Sequence, residues 1–270
     1  TNGLVYVNKT SAFKYFPELK NFRTIDFDAL GHIDYKGDFV GYIDRFAANG
    51  VLHTDLGSVT SNVKLSLPNM DPTQASYSGT ITSSSLQVGK LFRYPDFGAV
   101  ALSVNVEGKA FDPQNAKVNL NGVINSLEYL GYKYSDIQAE GTLAQKKFNG
   151  ELLINDPNLA LAFYGAADFS QPQLQIIAKA NLLSSNLKAL HLVQDSVTAA
   201  TDFDLDFKGN NIDEFIGFAK LYNVNINRNG HRLDVDSLYL NSSYTDGKKL
   251  LTLESNILGA KVVGNYSLSN

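Results

Sequence analysis

The stretch that decides the fold runs from Ile137 to Phe169 and reads IQAEGTLAQKKFNGELLINDPNLALAFYGAADF. Apolar side chains recur in it at every second position, and a period of two is typical of a β-strand with one face turned away from water. Polar side chains fill most of the positions between them. The alternating apolar residues are Ile137, Ala139, Leu143, Phe148, Leu152, Ile154, Leu159, Leu161, Phe163 and Phe169.

Two four-residue breaks divide this stretch into three strands. They read AQKK, after Leu143, and NDPN, after Ile154, and both carry the residues that are common in hairpin loops. Because the residues that flank such a loop pair directly, we expect Leu143 to face Phe148 and Ile154 to face Leu159. The prediction is a three-strand antiparallel meander with one apolar and one polar face.

The composition argues against several classes of function. With 270 residues and 44% hydrophobic content, the chain can form one large or two ordinary domains. A net charge of -4 and the absence of any block of Lys or Arg argue against a nucleic-acid partner. There is no Cys for disulfides, metal binding or thiol chemistry. No apolar run reaches the about 20 residues that span a bilayer, and we expect the chain to be a segment of a longer protein.

The rest of the chain has the same strand pattern and few helix candidates. Short helices are predicted at residues 86–92, 185–192 and 211–219, the first after a Ser cap, with one broken helical turn within residues 11–22. The dipeptides Asn229-Gly230 and Asp246-Gly247 predict tight hairpin turns. Further strands are predicted around residues 59–67, 100–106, 118–124, 203–207, 251–257 and 262–268.

A weak long repeat divides the chain. The strand VNVEGKAF contains Gly108 and matches FDLDFKGNN, which contains Gly209, 101 positions later. Repeats at a fixed offset indicate units that stack and extend one sheet. The predicted organisation is a partial N-terminal repeat at residues 1–76 and two repeat units at 77–173 and 174–270, all within one continuous β-groove.

The predicted fold class is all-β and mainly antiparallel, with a few short helices. These helices are too few to cover a long apolar face. At ~25 cal/mol per Å², a single Leu or Phe left in water costs roughly 1.5 to 3 kcal/mol. The sheet must therefore curl over itself or hold an apolar ligand. On pattern alone, a β-sandwich, a closed barrel and an apolar groove all remain open.

Four motifs resemble the repeat of one protein family. They are FNGELLINDPNLALAFYGAADFS, the preceding YSDIQAEGTL, and the downstream NLKALHL and DFKGNNIDEFIGFAKL. Together they are similar to the repeat of the TamB branch of the AsmA-like family, particularly its Bacteroidetes forms, over most of residues 27–268. The resemblance implies an extended twisted sheet, curled into a "β-taco" with an apolar groove. Together with the repeat offset, this predicts a groove built of repeats of about 100 residues.

The resemblance also implies a function and a location. The segment would lie in the periplasm, held to the inner membrane by an anchor outside it, and its groove would conduct phospholipid acyl chains between the inner and outer membranes. An Omp85-type outer-membrane barrel would be a partner of regions outside this segment, and no cofactor is expected. The residues expected to line the groove are Leu143, Phe148, Leu152, Ile154, Leu159, Leu161, Phe163, Phe203, Phe207, Leu251, Leu253 and Val262.

Two other functions stay open at this point. One is a scaffold or chaperone for outer-membrane protein assembly, whose open strand edges would accept client strands by β-augmentation. The other is a closed β-sandwich of a surface or adhesive protein, with a filled interior.

No motif predicts catalysis or metal binding, so we expect a protein that is not an enzyme. Asp202, Asp204 and Asp206 imitate a calcium loop, but Phe207 stands where that loop needs Gly. The chain has neither a Gly-x-Ser-x-Gly elbow nor a phosphate-binding Gly-Lys-Ser/Thr motif. The four histidines lack ligand spacing, and they are His32, His53, His191 and His231.

Overall fold

The protein folds almost entirely into antiparallel β-strands. A computed structural model describes residues 2–7, 26–42, 44–111, 114–210 and 214–264, and of residues 2–7 only the backbone. The chain forms two compact units, Thr1–Gln145 and Lys146–Asn270, which are called unit 1 and unit 2. The predicted fold class, a mainly antiparallel all-β chain with a few short helices, is confirmed.

Unit 1 is an antiparallel meander in which each strand pairs with the next one along the chain. A five-residue helix, α1 (Val88–Phe92), and two short 3-10 turns, Pro68–Met70 and Pro72–Gln74, interrupt it. Its strands are β1 (Asn2–Val7), β2 (Ile33–Tyr42), β3 (Arg45–Thr54), β4 (Gly57–Ser66), β5 (Ser76–Gln87), β6 (Phe97–Lys109), β7 (Lys117–Tyr129) and β8 (Tyr132–Ala144).

Unit 2 repeats this organisation, again with each strand paired to the next. Within the described residues of each unit, no pairing joins the first strand to the last, so neither sheet closes on itself. The strands of unit 2 are β9 (Lys147–Asp156), β10 (Leu159–Asp168), β11 (Gln175–Asn186), β12 (Val197–Lys208), β13 (Ile216–Arg228), β14 (His231–Thr245), β15 (Lys248–Ser255) and β16 (Gly259–Val263).

Tight turns of two residues connect several hairpins. Asn229-Gly230 and Asp246-Gly247 form such turns, as predicted, with φ of 51° and 86° in the first and 51° and 72° in the second. Positive φ at both central residues matches the right-handed twist of the strands that flank a hairpin. The break predicted as four residues, AQKK, is also a two-residue turn, because β8 ends at Ala144 and β9 begins at Lys147.

The predicted pairing of Ile154 with Leu159 is wrong. The turn between β9 and β10 is only Pro157-Asn158, so Leu159 pairs with Asp156, and Ile154 pairs with Leu161. The shift is two residues, and a shift of two leaves every side chain on its predicted face. The sidedness of the hairpin is therefore as expected although its register is not.

Two of the predicted helices are wrong and one is shorter than predicted. Helix α1 begins at Val88 and has no side-chain cap, because β5 continues to Gln87. Residues 187–191 form turns, in which the Leu190 N–H donates to the Asn186 carbonyl at 3.0 Å. Within 211–219, strand β13 starts at Ile216 because it extends the hairpin with β12, and 211–213 lie outside the described residues. The turn predicted within 11–22 also lies outside them.

The strands recur along the chain at nearly constant spacing. Strand β7 begins at Lys117 and β13 at Ile216, 99 residues later, whereas β9 begins at Lys147 and β15 at Lys248, 101 residues later. This spacing is close to the offset found in the sequence. The two compact units, however, divide at Gln145, inside the predicted repeat 77–173. The three-part domain organisation therefore stays a prediction.

Candidate functional site: the apolar face of the sheet

One face of the unit 2 sheet is lined by apolar side chains, which we call the apolar face of unit 2. Directly opposed residues in an antiparallel pair share a face, so the register assigns each side chain to one side. One row crosses all eight strands through Phe148, Ala167, Ile176, Phe207, Gly217, Ser242, Leu251 and Val262. A parallel row consists of Leu152, Phe163, Ala180, Phe203, Leu221 and Leu238.

The structure brings eleven of the twelve predicted groove residues to this face. Leu143 is the exception, because it belongs to unit 1, where it faces Val118 and is 46% exposed. A role in lipid binding stays a prediction for all twelve. The eleven residues on the apolar face of unit 2 are Phe148, Leu152, Ile154, Leu159, Leu161, Phe163, Phe203, Phe207, Leu251, Leu253 and Val262.

Unit 1 has an apolar face of its own, and most of its residues were missed as site candidates. The signal was present, because the same alternation runs through β6 and β7 as through β9 and β10. The register of β4–β8 places on this face Leu65, Tyr77, Ile81, Val104, Val106, Leu120, Ile124 and Ile137.

Most side chains of the apolar face of unit 2 are only half-buried. Leu152, Phe163 and Phe203 all retain accessible surface, whereas Leu251 is 5% exposed. In a packed sandwich, leucine and phenylalanine on the inner face are almost inaccessible. Among the described residues, the apolar face of unit 2 is therefore only partly buried, unlike the inner face of a packed sandwich.

A strip of small residues separates the two bulky rows at the start of the sheet. Gly150, Gly165 and Ala178 are directly opposed across β9, β10 and β11. A Cβ placed on Gly165 would lie 2.4 Å from the Ile177 carbonyl oxygen and 2.6 Å from the Ala178 Cα. Glycine is therefore required where these strands approach closely. The result is a shallow apolar channel with a Gly/Ala floor and Phe and Leu walls.

Densely packed side chains lie near strand ends. Phe215, just before β13, is 2% exposed and stacks on Phe207 with ring centroids 5.3 Å apart. Leu190, in the turn after β11, is 1% exposed. Buried serines mark β-bulges in β5 and in β11. Ser83 Oγ donates to the Ser58 carbonyl at 2.7 Å, and Ser185 Oγ donates to the Ala199 carbonyl at 2.9 Å.

The opposite face of unit 2 is mainly polar, and Asp202 and Asp204 lie beside polar or cationic side chains there. Asp202 accepts hydrogen bonds from the side-chain amides of Asn181 and Asn223, the second at 2.9 Å. Asp204 lies directly between Lys179 and Lys220 in the register. In the part of the chain that the structure describes, no three His, Asp or Glu side chains are grouped to hold a metal ion.

One carboxylate at the end of β10 has a strongly shifted pKa. The Ser170 hydroxyl and backbone N–H, the latter 2.8 Å from Asp168 Oδ1, and the Lys147 ammonium at 3.0 Å lower the pKa of Asp168 to about 2. These interactions favour the charged carboxylate. The ion pair joins the first residue of β9 to the last residue of β10, at the open end of the hairpin that carries the channel floor.

No helix among the described residues has both the length and the apolar character needed to cross a membrane. A search for known relatives of the chain found no matching protein-family model, no matching curated protein and no matching solved structure.

Proposed function

We propose that the chain is a segment of a TamB/AsmA-like envelope protein and that its apolar faces bind phospholipid acyl chains on their way between the inner and outer membranes. The proposal assigns it no catalytic role. The observation that carries it is the partly exposed apolar face of unit 2, which crosses all eight strands of that unit. The motifs FNGELLINDPNLALAF and DFKGNNIDEFIGF add the family resemblance.

Burial of hydrocarbon supplies the binding energy. Each methylene removed from water contributes about 0.8 kcal/mol, and this contribution has no preferred direction. An acyl chain in the channel over Gly165 would contact Phe163 on one side and Ile176 on the other. Because such contacts are similar along successive rows, an acyl chain can slide from one row to the next and needs no fixed binding site.

Adjacent aromatic residues on opposite faces allow a sharp test. Phe163 lies on the apolar face, opposite Leu152, whereas Tyr164 lies on the polar face, opposite Glu151. Each is replaced in turn by the photoreactive amino acid benzoylphenylalanine, which is conservative at both positions. The protein is then irradiated with vesicles of phosphatidylethanolamine and phosphatidylglycerol, and adducts are identified by mass spectrometry.

We expect lipid adducts from position 163 and few or none from position 164. Equal yields at the two positions, or no adduct at 163, would contradict the proposal. Irradiation in cells separates it from the scaffold function, which predicts crosslinks to client polypeptide at the sheet edge, for example at Val263 in β16.

A further inference from the structure

A groove on the polar face of unit 1 is rich in cationic side chains. It has a volume of about 640 Å³, and its charged and hydroxyl-bearing residues lie on strands β3 to β7. The register places the side chains of Arg45 and Lys64 on the face opposite to the side chains of Phe46 and Leu65. We call it the basic groove, and its charged residues are Arg45, Lys64, Glu107, Lys109 and Lys117.

The basic groove concentrates positive charge in an acidic chain. It has four cationic side chains and one carboxylate, an excess of three positive charges, whereas the whole chain has a formal net charge of -4. Charge of one sign along a cleft raises the local concentration of counter-ions. The groove therefore attracts anions although the protein as a whole repels them.

Two of the lysines oppose each other directly. Lys109 in β6 is the cross-strand partner of Lys117 in β7. Like charges at such positions lie about 5 Å apart at Cβ and are destabilising. In the described part of the chain, none of the four cations of the groove forms an ion pair, whereas Lys147 pairs with Asp168 and Arg228 with Asp195. An anion bound between the two lysines would relieve their repulsion.

We propose that the basic groove binds the phosphate groups of a polyanionic ligand. Lysine and arginine form short, charge-assisted hydrogen bonds with phosphate oxygens. The hydroxyls of Ser66 and Ser76, which lie in the same cross-strand row as Arg45 and Lys109, are additional donors. The groove crosses four strand spacings, or about 19 Å, which is long enough for more than one phosphate. The ligand class is a compound or surface with at least two phosphates.

The inference is independent of acyl-chain binding, because it concerns the opposite face of the other unit. Its test uses the whole chain and the double substitution Lys109→Gln and Lys117→Gln. The matched control is Lys36→Gln with Lys90→Gln, which removes the same charge from exposed positions of unit 1 outside the groove. The probe is pyrophosphate, titrated calorimetrically at low and at high salt.

We expect the unaltered chain and the control to bind pyrophosphate, more weakly at high salt because exposed charges are screened. The groove variant should bind about tenfold more weakly or not at all. Without ligand, that variant should melt no lower than the unaltered chain, because a repulsion has been removed. An unchanged affinity in the groove variant, or an equal loss in the control, would overturn the proposal.

A second arm identifies the source of the phosphate. Vesicles that contain phosphatidic acid are compared with vesicles of phosphatidylcholine alone in a flotation assay. Groove-dependent flotation with phosphatidic acid assigns the groove to lipid headgroups, and pyrophosphate binding without flotation assigns it to soluble phosphate compounds. Absence of both kinds of binding in the unaltered chain would refute the site.

Discussion

Replacement of Phe163 by alanine is expected to cost much less stability than replacement of Phe215 by alanine. Both phenylalanines lie in unit 2, so both report on the same unfolding transition. Phe215 is 2% exposed and stacked on Phe207, whereas Phe163 is half-buried on the apolar face. The comparison tests whether this face is open, which is the basis of the proposed function.

The two costs differ because truncation of an enclosed side chain leaves a cavity, whereas truncation of a side chain on an open surface does not. Phe→Ala in a packed interior costs about 3 to 5 kcal/mol, which combines lost transfer free energy with the cavity left behind. At Phe163 water fills the vacated space, so only the transfer term is lost. A fully buried side chain of this size is worth about 1.5 to 3 kcal/mol, and a partly exposed one about 1 to 2 kcal/mol.

Urea unfolding followed by circular dichroism measures both costs. The shift in midpoint multiplied by a common slope gives each change in unfolding free energy. Phe169→Ala is the control, because Phe169 is 55% exposed, and it should change stability by less than about 0.5 kcal/mol. If Phe163→Ala were as costly as Phe215→Ala, Phe163 would be enclosed and the apolar face could not accept an acyl chain.

Three further predictions concern unit 2. Asp168→Asn should lower the melting temperature at neutral pH, and the difference should vanish as pH falls from about 4 toward 2. The pKa of Asp168 is lowered in the folded state, so the carboxylate stabilises the fold above its unfolded pKa, and this stabilisation is lost when the carboxylate is protonated. A pH-independent difference would contradict this. Gly165→Ala should cost about 1 to 3 kcal/mol in urea unfolding, because its Cβ meets backbone atoms of β11; Gly259→Ala, whose Cβ would have no neighbour closer than 4.0 Å, is the control and should be nearly neutral. Gly230→Ala should cost about 1 to 2 kcal/mol from its φ of 86° alone, since no atom lies within 4 Å of the new Cβ, and a neutral result would show that the turn relaxes.

Local patterns in the sequence predicted the sidedness of the strands well. Alternation at Leu152 and Ile154 assigned both to the correct face even though the turn at Pro157-Asn158 is shorter than expected. A register error of two residues leaves each side chain on the same face of the sheet. Turn length was harder to predict, because the sequence NDPN is compatible with both two-residue and four-residue loops.

Features that depend on pairing were not predictable from local patterns. The apolar residues Phe215 and Ile216 are compatible with a short helix, but Ile216 pairs with Lys208 and begins strand β13. The basic groove has no signal in the sequence, because Arg45 and Lys117 are 72 positions apart and share a row only through the register of five strands.

Pairing between consecutive strands also bears on how the protein folds. Among the described strands of each unit, each strand pairs with the next one along the chain, and no pairing skips an intervening strand. Closing a short loop costs little chain entropy, and β-proteins with local pairings fold faster than those with distant ones. Each sheet can therefore assemble hairpin by hairpin from either end while the remainder of the chain is still unfolded. A polypeptide that emerges gradually, from a ribosome or through a membrane pore, can acquire its structure in the order in which its strands appear.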